Sequence, residues 1–259
     1  MAARLLTETQ GQTLILTISD PEFRNALGPE IYAAGTEALN VAETNPDVRS
    51  VILRGDGSTF CSGGNLNRLL ARRAQDPQVQ IDSINALNTW IESLRNFPKP
   101  VIAAIEGAAA GAGVSVALAC DLIVAAEDAF MIMAYSNVGL SPDGGGAWTM
   151  ARHLPRPLAM KMLMLGERLD APRLHALGMV SHLAHPGQAL SQALEVAEKI
   201  NRRAPNVMHS LKELVNEAGE LELHQHLQSE CTHFVRNIQH PNGGEGIQAF
   251  LDKRPPLYR

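Results

Sequence analysis

Cysteine is scarce in this chain: three residues in 259, Cys61, Cys120 and Cys231, far apart and without a Cys-x-x-Cys pair. That spacing argues against a disulfide framework and against zinc, and it fits a reducing compartment. Cys120 and Cys231 sit in apolar patterns and read as core residues. Long apolar runs are missing too, since the longest are broken by Gly, Glu and Asp. Neither a signal peptide nor a membrane-spanning helix is therefore expected, and the cytoplasm is the expected location. Nor is there surplus positive charge: 22 Lys and Arg against 27 Asp and Glu give a formal net charge of −5. Such a balance leaves no footprint for nucleic acid or an anionic membrane surface, so a polyanionic ligand must be met by a local basic site. No Gly-Lys-Ser/Thr P-loop occurs, and none of the nine histidines has HExxH spacing. His182 and His185 read as part of a solvated turn, and no metal is expected.

What is present is ordinary globular composition, 45% apolar and 19% charged, long enough for one large domain or one domain with an appended subdomain. Strand signals fall at residues 14–18, 51–53, 101–105 and 122–124, and helical patterns at 29–43 and 81–94. Strands alternating with helices predict an α/β architecture with largely parallel pairing. Beyond Gly145 strand signals fade and amphipathic helices follow. Their apolar positions are Leu190, Ala193, Leu194, Ala197 and Ile200, then Leu211, Leu214 and Val215, then Leu227, Phe234 and Val235. These faces are wide for a peripheral cap and are expected to pack against another subunit. Residues 68–80, with Arg72-Arg73 and Asp76-Pro77, are expected to form a mobile surface loop. Trp148 and Met133 are expected in the core or lining a pocket.

Two stretches give up side chains altogether: Phe60-Cys-Ser-Gly-Gly-Asn65 and Gly107-Ala-Ala-Ala-Gly-Ala-Gly-Val-Ser115, each after a strand signal. A dinucleotide fingerprint would need a third glycine that Gly111-Ala-Gly113-Val-Ser-Val116 lacks. A nucleophile elbow at Ser115 would need a sharp strand-to-helix turn, yet Ser115 falls inside the helical run. The remaining use is of the backbone itself. Where a loop enters a helix the first N–H groups lack partners, and two such ends side by side can hold one developing oxyanion.

At these residues the chain resembles the crotonase (enoyl-CoA hydratase/isomerase) superfamily. Phe60-Cys-Ser-Gly-Gly-Asn-Leu66 is similar to its Phe-x-Ala-Gly-x-Asp-Leu segment, and residues 107–121, ending Ala-Leu-Ala-Cys-Asp121, to its second signature. Arg24-Asn-Ala-Leu27, Val138-Gly-Leu-Ser-Pro-Asp-Gly-Gly145 and Lys253-Arg-Pro-Pro256 follow in the expected order. The resemblance implies a spiral of ββα units over residues 1–195 and a C-terminal helical region over 196–259 used in oligomerisation. It also implies a homotrimer or dimer of trimers, an acyl-CoA substrate and no permanently bound cofactor, coenzyme A being part of the substrate. Carried over by position, the oxyanion-hole amides are those of Gly64 and Ala112. Arg24, Ser62, Asn65 and Lys253 are the expected CoA contacts, with Asn65 in place of the usual Asp.

Hydratases of the family use two glutamates; here Ser115 and Tyr135 stand at those positions and are expected in the substrate pocket. Asp143 is the remaining acid, eight residues beyond Tyr135, where several isomerases of the family carry a catalytic Asp. It reads either as the acid/base or as a helix N-cap. Double-bond isomerisation of an enoyl-, dienoyl- or ring-derived CoA ester is the leading expectation, with hydration as the alternative. Hydrolysis or dehalogenation through Asp143, and a catalytically silent CoA-binding protein, stand behind them.

Overall fold

The structure, a computed structural model, describes residues 3–259. Its strands are β1 (Arg4–Gln10), β2 (Thr13–Ser19), β3 (Ser50–Gly55), β4 (Val101–Ile105), β5 (Ala108–Ala110), β6 (Leu122–Ala126), β7 (Phe130–Ile132), β8 (Arg168–Asp170) and β9 (His182–Ala184). Among the described residues they form a six-stranded sheet ordered β1-β2-β3-β4-β6-β9 and a smaller sheet ordered β5-β7-β8. The β1–β2 hairpin is antiparallel and every later pair of the large sheet is parallel. Every strand expected from the apolar pattern is present. Of those not foreseen, β1 is seven residues long but exposed along most of its length; β5 and β7 to β9 are three residues each, too short to show alternation and defined by pairing alone. His182 accordingly opens a strand instead of lying in a turn.

Parallel strands buried on both faces should be largely apolar; β4 and β6 are apolar throughout, while β2 and β3 also carry Thr13, Thr17, Ser19, Ser50 and Arg54. Ile15, Ile52, Ile102 and Leu122 are register partners across β2, β3, β4 and β6. They face helix α8 (Ala189–Asn201) through Ala189, Ala193, Val196 and Ala197. The opposite positions, among them Leu16, Leu53 and Ala103, pack under α1 (Pro29–Thr44) and α3 (Pro77–Asn96). Gly35 of α1 lets the Trp90 indole in: a Cβ there would lie 2.3 Å from its Nε1.

The chain winds as a spiral, each turn laying a strand in the large sheet, then an extended segment in a second layer, then a helix. After β4 come β5 and α4 (Ala112–Leu118); after β6 come β7 and, beyond a connection over residues 133–145 that includes a 3₁₀ turn (Ser136–Val138), α5 (Gly146–His153). Isolated parallel bridges, Cys61 to Ala109 and Leu27 to Gly64, extend the second layer backward through two earlier turns. Residues 68–80 are not a loop. They belong mainly to α2 (Leu66–Arg72), capped by the Asn65 side chain, and to the start of α3, capped by Asp76 with Pro77 in its first turn. Both are ordinary helix-start signals that polar composition obscured.

The remaining helices are α6 (Arg156–Leu165), α7 (Ala171–Ala176), α9 (Pro205–Glu217), α10 (Leu223–Gln239) and α11 (Pro241–Leu251). A boundary at residue 195 falls inside α8, which covers the large sheet; the helices standing away from the sheet begin with α9. A groove of about 760 Å³ runs among α9, α10 and α11, lined by Leu211, Leu214, Leu227, Phe234 and Ile247. Cys231, expected in the core, is exposed on this surface, while Cys61 is buried. No helix among the described residues is long and apolar enough to cross a membrane.

One ion pair ties α9 to the sheet. Lys212 Nζ donates to Asp121 Oδ2 at 2.8 Å and to the Leu94 carbonyl at 3.0 Å, and Asp121 Oδ2 also accepts the Val101 N–H at 2.7 Å. Burial outweighs the Lys212 charge and holds the Asp121 carboxyl above its ordinary value. Lys212→Met, which strands that carboxyl, should lower stability to urea by about 1–3 kcal/mol, less than for a fully enclosed pair because Asp121 keeps some exposure. Adding Asp121→Asn should recover part of the loss; strict additivity of the two substitutions would refute the coupling.

Candidate active site

The site begins at two non-glycine residues in left-handed backbone, Arg24 (φ 52°) and Asn25 (φ 60°). Each costs on the order of 1–2 kcal/mol unless held, and the Asn25 side chain holds them. It accepts the Asp20 N–H and donates to the carbonyls of Asp56 and Thr59 at 2.9 and 2.7 Å. The turn is then fastened to the first glycine stretch. Ser62 N–H donates to the Arg24 carbonyl, Ser62 Oγ to the Phe23 carbonyl, and Leu27 N–H to the Gly63 carbonyl.

The first stretch is fastened in turn to the second. Cys61 N–H donates to the Ala108 carbonyl and Ala110 N–H to the Cys61 carbonyl. At Gly63 (φ 87°) a Cβ would lie 2.7 Å from the Ala110 oxygen and 3.4 Å from the Ala112 nitrogen; at Gly113 one would lie 2.8 Å from Cys61 Sγ. Glycine is therefore required at both positions for backbone to meet backbone. The result is that the turns carrying Gly64 and Ala112 lie against each other. Among the described residues, neither the Gly64 nor the Ala112 N–H donates to a protein acceptor. Two unsatisfied amides at one junction can receive a single ligand oxygen.

Asp143 arrives from the next turn of the spiral. It sits in the loop between β7 and α5, where Gly139, Gly144 and Gly145 all take positive φ. The cap of α5 is Gly145, with no side-chain hydrogen bond, so Asp143 is not the N-cap that the sequence allowed. Its Oδ1 accepts the Tyr135 hydroxyl at 2.6 Å, and its main-chain carbonyl accepts the Ser115 hydroxyl at 2.8 Å. The Tyr135 ring lies beside Gly111, 3.7 Å from where a Cβ would stand. A continuous set of contacts thus joins the free amides to the carboxylate. Burial, then the charge of Asp143 and its hydrogen bond, push the Tyr135 phenol above its ordinary value, so it remains a donor. Burial likewise raises the Cys61 thiol to about 12, which removes it as a nucleophile near neutrality.

Most of the residues singled out from sequence fall in this one cluster, with some shifts of position. Ser115 is 2% exposed, behind the Asp143 loop and not lining open space as expected. Ser62 and Asn65 spend their side chains on the Phe23 carbonyl and on capping α2. Arg24 is exposed beside the first stretch. No hydrogen bond or ion pair among the described residues joins Lys253, beyond α11 with φ 54°, to the cluster. Trp148 is neither core nor pocket: it is 39% exposed and stacks with Arg95 and Arg152. Met133 is buried and closes the Gly146 side of the site. Sequence reasoning missed Tyr32 of α1, whose phenol senses the Asp143 charge; helical periodicity files it with the core. It also passed over the side chain of Asn25, for which the signal was Asn beside a turn. Among the described residues no group of three or more His, Cys, Asp or Glu is arranged to hold a metal.

The enoyl-CoA hydratase/isomerase family model matches residues 8–259. The chain belongs to the enoyl-CoA hydratase/isomerase family. A crystal structure described as an enoyl-CoA hydratase from Polaromonas sp. JS666 is 61% identical, with a TM-score of 0.98 over 99% of this chain and 100% of that one. The 1,2-epoxyphenylacetyl-CoA isomerase of Escherichia coli (strain K12) is 31% identical over 98% of this chain and 97% of its own length. The 2,3-dehydroadipyl-CoA hydratase of the same organism is also 31% identical, over 99% of both. The family relation and the crotonase fold stand on these matches, and both isomerases and hydratases occur among the relatives. In this hydratase/isomerase family member α4 carries no acid, and the acidic side chain of the cluster, Asp143, lies on the loop after β7.

Proposed function

We propose that the protein isomerises the double bond of an acyl-CoA, holding the thioester oxygen as an enolate. The supporting observation is that one carboxylate, Asp143, lies beside the junction of the free amides, while both positions that carry glutamates in hydratases are hydroxyls. The thioester oxygen accepts from the Gly64 and Ala112 N–H groups. Asp143 removes a proton from C2 of a 3-enoyl thioester, the electron pair delocalises onto the held oxygen, and the protonated Asp143 returns the proton at C4. The double bond moves from C3 to C2 and no atom is gained or lost.

Coenzyme A enters only as part of the substrate, and no resident cofactor is invoked. Arg24, exposed next to the amides, is the cation placed to meet CoA phosphate, with the backbone around Ser62 and Asn65 as a wall. Lys253 is assigned to the CoA of the same or a neighbouring subunit. The apolar surface of α9 to α11, where Val215, Phe234 and Phe250 are exposed, is assigned to self-association as a trimer or dimer of trimers.

A 3-enoyl-CoA and, separately, crotonyl-CoA incubated with the protein in heavy water should show a shifted double bond and deuterium at carbon, without gain of a water, by mass spectrometry. Stoichiometric addition of water to crotonyl-CoA would replace this reading with hydration. That second reading is favoured by the description of the Polaromonas structure, and it would make Asp143 the group that activates water at C3.

A further inference from the structure

The two hydroxyls at the glutamate positions share one target. We propose that Tyr135 and Ser115 are positioning residues that clamp Asp143, Tyr135 fixing one carboxylate oxygen and Ser115 fixing the main chain. Oδ2 is thereby left to exchange protons with substrate. The proposal rests on the reading of Asp143 as the acid/base and adds how that group is held.

Three features carry it. The Asp143 loop contains left-handed glycines at 139, 144 and 145 and no regular secondary structure from Leu140 to Gly145, so its path is not set by a backbone ladder. A proton-transfer group misplaced by about 1 Å loses on the order of a hundredfold in rate, so such a loop needs external fixing. The fixing comes from both ends of the fit: the Tyr135 hydroxyl, at the start of the same connection before the 3₁₀ turn Ser136–Val138, at 2.6 Å from Oδ1, and the Ser115 hydroxyl, on α4, at 2.8 Å from the Asp143 carbonyl.

The Ser115 position also has no room for a role of its own. A Cβ at Gly146 would lie 2.6 Å from Ser115 Oγ, and one at Gly144 3.1 Å from Ser115 Cβ. The loop is thus seated directly on the serine, and a glutamate at 115 would have to displace it. Serine on α4 and glycine in the loop are two halves of one fit.

The groups facing Asp143 are Tyr135, Ser115 of α4 and Tyr32 of α1, with Arg68 and Arg72 of α2 acting on Tyr32 from beyond it. Leu87 of α3, which faces Gly144, brings no charge. Among the described residues, Tyr135 is the only one of these that hydrogen-bonds the carboxylate.

The test is the split between kcat and KM in 3-enoyl-CoA isomerisation. Tyr135→Phe should lower kcat by about 10- to 100-fold, with KM little changed. Ser115→Ala, which removes the bond to the Asp143 main chain, should lower kcat by roughly tenfold, again with KM little changed. Fluorotyrosine at 135 keeps the shape and the donor and should hold kcat near the wild-type value, which covers the case of a poorly folding Tyr135→Phe. If Asp143→Asn is inactive while the Tyr135 and Ser115 variants keep wild-type kcat, the clamp is refuted and the acid/base reading survives. If Asp143→Asn retains wild-type turnover, the acid/base reading fails and the clamp falls with it.

Discussion

Asp143→Asn should abolish isomerisation, by about a thousandfold or more in kcat, while the affinity for CoA stays as in the wild type. General acid/base groups contribute about 10²–10⁴, and here no second carboxylate stands at either glutamate position to take over. The substitution removes little else. Asparagine is close to isosteric, its side-chain oxygen can still accept from Tyr135, and the Ser115 bond runs to the main chain. The loop should therefore hold its place. Single-turnover kinetics with a 3-enoyl-CoA, together with calorimetric titration of CoA, separate the outcomes. Lost turnover with retained binding supports the acid/base role, whereas equal turnover would move the chemistry away from Asp143.

Ala112→Pro removes the other half of the proposed machinery. Position 112 is the first residue of α4, where proline suits the backbone and its missing N–H costs the helix nothing. Gly111 before it has ψ −125°, away from the α region that a following proline disfavours. What disappears is one donor to the thioester oxygen, and kcat should fall by about 10²–10³-fold. The expected signature is a rate loss on unchanged thermal stability, read by kinetics and calorimetry. Full activity in a folded Ala112→Pro protein would exclude the Ala112 amide from the site.

The four central strands of the large sheet were legible because they are buried on both faces and written as apolar runs such as Val51-Ile-Leu53 and Val101-Ile-Ala-Ala-Ile105; the edge strands, β1 exposed along most of its length and β9 three residues long, were not. The second layer was not, because Ala108–Ala110 has no pattern and exists as a strand only through its partners. Composition misled at residues 68–80, where charge and glutamine suggested a loop although Asn65 and Asp76-Pro77 were cap signals. In the site, the glycines announced a backbone role, since only close approach explains so many missing side chains, and Gly63 and Gly113 show that approach directly. The use of Ser115 and Tyr135 could not be read from sequence. It depends on where a glycine-rich loop comes to rest, a matter of tertiary fit over 28 residues of separation for one bond and 8 for the other.

The amide junction is built from backbone meeting backbone between successive turns of the spiral, whereas Asp143 rides on a loop outside both turns. In the proposed reaction, polarising the carbonyl and delivering the proton would therefore fall to different turns of the spiral, in contact only where Ser115 and Tyr135 meet Asp143. A new loop between β7 and α5, of different length or with its acid one residue over, could address a different carbon of the acyl chain without disturbing the donors. In such a scaffold the reaction is an interchangeable part, and the residues most worth randomising to obtain a new activity are 140–143 and not the glycines on either side of them.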